Sequence, residues 1–109
     1  MNKYNAKPIV IDGIRFDSTG EGRRYSELKL LLKAGIISKL ELQPVYLLQE
    51  AFTHKGKKHR VINYKADFRY IENGEIITED FKGFKTNTYK LKKKLLLCKY
   101  PNITLIETG

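Results

Sequence analysis

The reading of the fold turns on Ala66-Asp67-Phe68-Arg69-Tyr70-Ile71-Glu72-Asn73-Gly74-Glu75-Ile76-Ile77-Thr78-Glu79-Asp80-Phe81-Lys82. Asn73-Gly74 is the strongest short hairpin signal in the chain, because a two-residue type I′ turn needs positive φ at both central positions. The flanking segments are rich in β-branched and aromatic residues. Val61 to Ile71 reads as a long strand and Ile76 to Phe84 as its partner. With Asn73-Gly74 as the loop, Glu72 faces Glu75, and the same register places Asp67 opposite Asp80. Side chains alternate faces along a strand, so Lys82 projects on the side of Asp80. Two carboxylates directly opposite each other are disfavoured by up to about 1 kcal/mol. A hard divalent cation would offset that, since Mg²⁺ takes one or two carboxylates together with phosphate oxygens and water. The same residues, with Arg69, also fit salt bridges on a solvated sheet face, and spacing leaves both readings open.

Working outward, Ile9–Ile11 and Ile14–Phe16 flank Asp12-Gly13, a second hairpin signal. Ser18-Thr19-Gly20-Glu21 fits a capping box that opens a helix, with Glu21 reaching back to the first amide. Tyr25, Leu28, Leu31 and Leu32 give that helix one apolar face, and Gly35 ends it. Leu40 to Leu48 reads as one strand or two, interrupted near Pro44. His54 to Arg60 is a basic connection with Gly56 at its centre. A second helix is expected from Thr86 or Thr88 to about Tyr100, stopped by Pro101, with Leu91, Leu95 and Cys98 on its apolar face. Ile103 to Ile106 make a last short strand. The order is hairpin, helix, three strands, helix, strand: an α/β domain with a central mixed sheet flanked by helices.

Composition bounds the function classes. The 109 residues suit one domain, with Met1 to Pro8 as a basic, mobile arm. Twenty-one Lys and Arg against 12 Asp and Glu give a net charge of +9, which points to a polyanionic partner, nucleic acid before membrane. No apolar run reaches the roughly 18 residues of a membrane span, and no signal-peptide pattern is visible, so a cytoplasmic protein is expected. The lone Cys98 excludes an intrachain disulfide and a cysteine-based zinc site. No P-loop, Ser-His-Asp or Cys-His set is legible. His54 and His59 lie in a lysine-rich stretch without the pattern of a His-Asn-His nuclease.

Asp67, followed on the next strand by Asp80-Phe81-Lys82, resembles the motif of the PD-(D/E)XK nuclease superfamily, whose restriction-endonuclease-like core has this order of elements. The chain also resembles a family of short phage-encoded proteins within that superfamily. The matching stretches are Asn2-Lys3-Tyr4, Phe16-Asp17-Ser18 with Glu21, Leu42-Gln43-Pro44, Ala66-Asp67-Phe68, Glu79 to Gly83 and Tyr89-Lys90-Leu91-Lys92. The resemblance implies that Asp67 and Asp80 bind Mg²⁺ or Mn²⁺ and that Lys82 is the catalytic lysine. It makes Glu21 a third metal ligand, in competition with its capping role, and gives Gln43 a supporting place beside the site. Asp80 stands where many members of the superfamily have Glu, and no proline immediately precedes Asp67. Glu79 should point to the opposite face and pair structurally.

The resemblance implies a DNA endonuclease of a bacterial host cell, encoded by phage or prophage and serving recombination, replication or packaging alongside other phage proteins. Cleavage of branched DNA of the Holliday-junction type comes first, and the nicking of duplex DNA second. Cutting two strands favours a homodimer. Lys90, Lys93 and Lys94 on the second helix are expected to contact phosphate. Lys3, Lys7, Lys55, Lys57, Lys58 and Arg60 extend the track, with Tyr4 and Tyr89 packing on bases or sugars. The rival is a non-catalytic DNA-binding or adaptor module that kept the fold.

Overall fold

The computed structural model describes residues 7–81 and 84–108. It begins with a hairpin, β1 (Ile9–Ile11) and β2 (Ile14–Phe16), followed by α1 (Thr19–Lys33). Next come β3 (Ser38–Leu42), β4 (Val45–Gln49), β5 (Phe52–His54), β6 (Lys57–His59), β7 (Ile62–Lys65), β8 (Phe68–Glu72) and β9 (Glu75–Phe81). The last elements are α2 (Asn87–Lys99) and β10 (Ile103–Thr108). The central sheet has the order β10-β9-β8-β3, parallel between β10 and β9 and antiparallel elsewhere. This is a mixed α/β architecture, as the element order implied.

The central hairpin has the expected register, from Glu72 opposite Glu75 to Phe68 opposite Glu79. Asn73 and Gly74 have φ of 52° and 78°, as a type I′ turn requires. Asp12-Gly13 turns in the same way, with φ of 54° and 76°.

Four expectations need correction. The long strand from Val61 to Ile71 is two strands, β7 and β8, parted at Ala66-Asp67. Its partner, expected to reach Phe84, is described to Phe81, and Phe84 lies outside any strand and is 58% exposed. The basic connection from His54 to Arg60 is itself a hairpin, β5–β6, around Lys55-Gly56. Finally, Leu91, Leu95 and Cys98 do not form the buried face of α2. Leu91 is 59% exposed and Leu95 43%, and Cys98 is exposed, while Leu96 is fully buried. The helix docks through Tyr89, Leu96 and Tyr100, because the surface it covers presents Tyr46, Tyr64 and Ala66.

The breaks in the long strands coincide. Leu42 faces Phe68 and Val45 faces Lys65, so β3–β4 and β7–β8 share one antiparallel register across the gap. Within the gap the Gln43 amide donates to the Asp67 carbonyl at 2.9 Å and the Ala66 amide to the Pro44 carbonyl at 3.0 Å. Gln43 has φ of 51°, and Pro44 has no amide to donate, which together bend the ribbon.

Two cores lie on opposite faces of the sheet. On one, α1 and the first hairpin bury Phe16, Tyr25, Leu28, Ile37, Phe68, Tyr70 and Ile77. Gly22 admits the hairpin, since a Cβ there would stand 2.6 Å from Ile9 Cγ2. On the other, Tyr46, Tyr64, Ala66 and Leu96 pack together with Tyr89, Tyr100 and Leu105.

Glu79 fulfils its structural role. It is 2% exposed and receives Arg24 Nε at 2.9 Å and Nη2 at 2.6 Å, with the Tyr70 hydroxyl donating to the same carboxylate. The pairing raises the Arg24 pKa above its ordinary value. Breaking a buried pair from one side strands the other charge at a cost of about 3–5 kcal/mol. Arg24→Ala should therefore lower the urea unfolding free energy by about 3 kcal/mol, and Glu27→Ala, which removes only the exposed partner of Arg24, by less than about 1 kcal/mol.

Candidate active site

Asp67 sits at the break between β7 and β8, one step beyond the last regular pair of the hairpin. Its amide donates to the Glu79 carbonyl at 3.0 Å, and its Oδ2 accepts the Phe81 amide at 2.5 Å. Asp67 is therefore held at the end of the sheet, able to reach toward both faces. It lines the same cavity as Glu21, close enough for the Glu21 carboxylate to act on its titration. Partial burial, and next the Glu21 carboxylate, push the Asp67 pKa from 3.8 up to about 7, against the Phe81 amide, which lowers it.

Glu21 takes the capping role and also borders the cavity that holds Asp67. Ser18 caps α1, its Oγ accepting the Glu21 amide at 3.1 Å. The Glu21 carboxylate reaches back one residue further than expected, accepting the Asp17 amide at 3.1 Å. The same side chain lines a cavity of about 260 Å³ together with Arg15, Gln43 and Asp67, over a floor of Ile14, Phe16, Leu42 and Phe68. The expected residues Glu21, Gln43 and Asp67 thus converge. Arg15 was not anticipated; an arginine on an outer hairpin strand carries no signal that it borders a cavity.

Asp80 is placed differently. It is completely buried, and its carboxylate accepts the Tyr64 hydroxyl. Desolvation first, and then Asp80, raise the Tyr64 pKa, keeping that hydroxyl protonated as a donor. The Tyr64 and Tyr89 hydroxyl oxygens lie 3.3 Å apart, each giving its single proton to a carboxylate, Tyr64 to Asp80 and Tyr89 to Glu107 at 2.5 Å. Lys93 completes this chain at 2.6 Å from Glu107, whose pKa is lowered chiefly by that contact. Tyr64 was missed because a tyrosine three residues before Asp67 has no distinguishing pattern in one sequence.

The expected nucleic-acid contacts divide accordingly. Lys7, Lys55, Lys57, Lys58, Arg60, Lys90 and Lys94 are exposed. Lys93 is partly buried against Glu107, and Tyr89 spends its hydroxyl in the interior rather than at the surface. Lys3, Tyr4 and Lys82 lie outside the described residues. Among the described residues, no three His, Cys, Asp or Glu side chains are grouped as a ready metal cage. No helix among them is long and apolar enough to cross a membrane.

A larger cavity, about 500 Å³, opens on the α2 face beside Tyr46, Arg69 and Tyr100. Its Arg69 is already bonded to Glu41 at 2.5 Å and lies 5.1 Å from the Tyr46 ring centre. It holds none of the clustered carboxylates, so the smaller cavity is the stronger candidate for chemistry.

Sheet, helices and cavity define a small mixed α/β domain with a carboxylate-lined site at the end of its central hairpin. The chain belongs to the family described as a protein of unknown function, DUF1064, which matches residues 1–108. No curated protein and no solved structure matches it significantly.

The raised Asp67 pKa has a thermodynamic sign. The folded chain holds that proton up to about pH 7 and the unfolded chain only to about 3.8, so this group's contribution to stability falls as pH rises between the two. Replacing it with a neutral isostere removes the penalty. Asp67→Asn should be more stable than the parent by about 1–2 kcal/mol in urea titrations at pH 8, with the gain vanishing at pH 4. A gain of equal size at both pH values would assign it to packing instead.

Proposed function

We propose that this protein is a metal-dependent DNA endonuclease with a restriction-endonuclease-like core, acting on branched or duplex DNA in a bacterial host. The observation that carries the reading is the meeting of Asp67 and Glu21 in one cavity, with Asp67 holding its proton to about pH 7 because both burial and Glu21 oppose its ionisation. A site that penalises its own carboxylates when empty is suited to a cation.

The donor chemistry fits a hard cation: carboxylates, and the side-chain amide of Gln43 at the same cavity. With no closed cage among the described residues, the fit is to an ion that keeps several water or phosphate ligands, which is the habit of Mg²⁺. Asp67 and Glu21 would hold it from the cavity side, with Asp80 behind Asp67. Bound there, the ion would polarise a phosphodiester and lower the pKa of a water molecule. Lys82 is assigned to stabilise charge developing on the phosphate. Exposed lysines of α2 hold the backbone without reading sequence.

One observation favours a second reading, a non-catalytic DNA-binding module. Asp80 is buried against Tyr64, and in this reading its role is structural support of the central strand.

The assay that separates them is cleavage of supercoiled plasmid, four-way junction and flap DNA with Mg²⁺, Mn²⁺ or EDTA. The endonuclease reading expects metal-dependent cutting, reduced by about a hundredfold or more in Asp67→Asn and Lys82→Ala. It also expects Mn²⁺ to raise the melting temperature of the parent at pH 8 but not that of Asp67→Asn. If parent and variants are equally inert on every substrate, the protein is not a nuclease.

A further inference from the structure

The β5–β6 hairpin continues the β4–β7 pair. Gln49 faces Ile62 and Phe52 faces His59, so the ladder resumes in one register beyond Glu50-Ala51 and Arg60-Val61. Its tip, Lys55-Gly56, has φ of 48° and 80°, another type I′ geometry. Every residue from Glu50 to Val61 is exposed except His59, which is half-buried. At about 3.4 Å per residue, the strands project roughly 20 Å beyond Gln49.

An isolated two-stranded ribbon is marginal in water. This one is stiffened by its turn and by Phe52 and His59, whose rings stack at 4.6 Å and 7°. It carries Lys55, Lys57, Lys58 and Arg60 with no acidic residue between Ala51 and Val61. Among the described residues, none of these four cations enters an ion pair. The pairing register sorts the side chains. Thr53 and Lys58 share one face, while Phe52, His54, Lys57 and His59 share the other.

We propose that this ribbon enters the major groove of duplex DNA, making it the element that selects duplex arms for the site. The inference rests on the DNA-acting reading above and names its substrate form. Two strands about 4.8 Å apart, with side chains, fit a groove about 12 Å wide and 8.5 Å deep. The cations lie where they reach the phosphates along both groove walls. The deep, narrow major groove of A-form RNA does not admit such a ribbon, and a single strand offers no groove at all.

The test uses fluorescence anisotropy in EDTA with 20-base-pair DNA, the equivalent RNA duplex and a single-stranded 20-mer. The parent is compared with Lys55→Ala/Lys57→Ala/Lys58→Ala/Arg60→Ala and with a shortened chain in which Asn-Gly joins Glu50 to Val61. Both variants should lose at least about tenfold in affinity for duplex DNA and under about threefold for the other two probes. The slope of log affinity against log salt should fall by about 2 to 4 on the DNA duplex. Guanine N7, which lies in the major groove, should be protected from dimethyl sulfate by the parent and not by the variants. Equal losses on all three probes, unchanged affinity in either variant that retains its thermal transition, or unprotected N7 would overturn the proposal. Because metal is absent, the outcome is independent of cleavage. A nuclease with an unaffected ribbon variant keeps the enzyme reading and loses this one, and a groove-binding but inert protein does the reverse.

Discussion

The constraint on which this structure depends is a central strand that buries three polar residues in succession. Thr78, Glu79 and Asp80 are each 2% exposed or less, and β9 has neighbours on both sides. Uncompensated, each carboxylate would cost far more than a small domain can spare. Because successive residues face opposite ways, the compensation is distributed across the whole fold. Glu79 draws in Arg24 and Tyr70 and so fixes α1 to the sheet. Thr78 bonds Tyr46 at 2.6 Å, and Asp80 takes Tyr64, which ties the β4–β7 ribbon to the opposite face. Tyr89, Glu107 and Lys93 carry that network on to α2 and β10. Helix α1 and the β4–β7 ribbon are therefore each held by a hydroxyl or guanidinium that answers one strand.

The same economy positions Asp67. The paired breaks at Gln43-Pro44 and Ala66-Asp67 let the ribbon leave the central sheet without losing its register. The bend frees the Asp67 side chain from strict alternation. It can cap the Phe81 amide and still border the cavity that Glu21 lines. A straight strand would have committed Asp67 to the face of Asp80 alone, and the two carboxylates would have shared one side of the sheet without Glu21.

Legibility in the sequence followed the strength of local signals. Asp12-Gly13 and Asn73-Gly74 announced their hairpins because Asp and Asn tolerate positive φ beside Gly. Lys55-Gly56 makes the same turn, yet lysine carries no such preference, so that hairpin read as a loop. The α1 face was visible because Tyr25 and Leu28 recur at helical spacing. On α2 the expected leucines misled, since the docking stripe uses Leu96 with Tyr89 and Tyr100, whose hydroxyls bond Glu107 and the Leu47 carbonyl. The hairpin register was arithmetic and held as far as Phe68 opposite Glu79, beyond which the Asp67 amide bonds the Glu79 carbonyl instead of continuing a regular pair with Asp80. What arithmetic could not convey was that Asp80 faces inward onto Tyr64, a choice made by long-range packing.

The distribution of charge links the buried acids to the basic exterior. Asp17 is paired with Arg15, Glu27 with Arg24, Glu41 with Arg69 and Glu107 with Lys93, while Glu79 and Asp80 are inside. Many of the acidic groups are thus spent internally or on local pairs, and the net charge of +9 is expressed largely by exposed lysines. Such a surface attracts a polyanion at long range. At short range the cavity holding Glu21 and Asp67 opposes it, because phosphate and carboxylate repel. In the proposed endonuclease reading, the two tendencies are reconciled when positive charge enters the cavity with the phosphate: the proton that Asp67 holds to about pH 7 would supply part of it, and a divalent cation, by its charge and ligand preference, the rest.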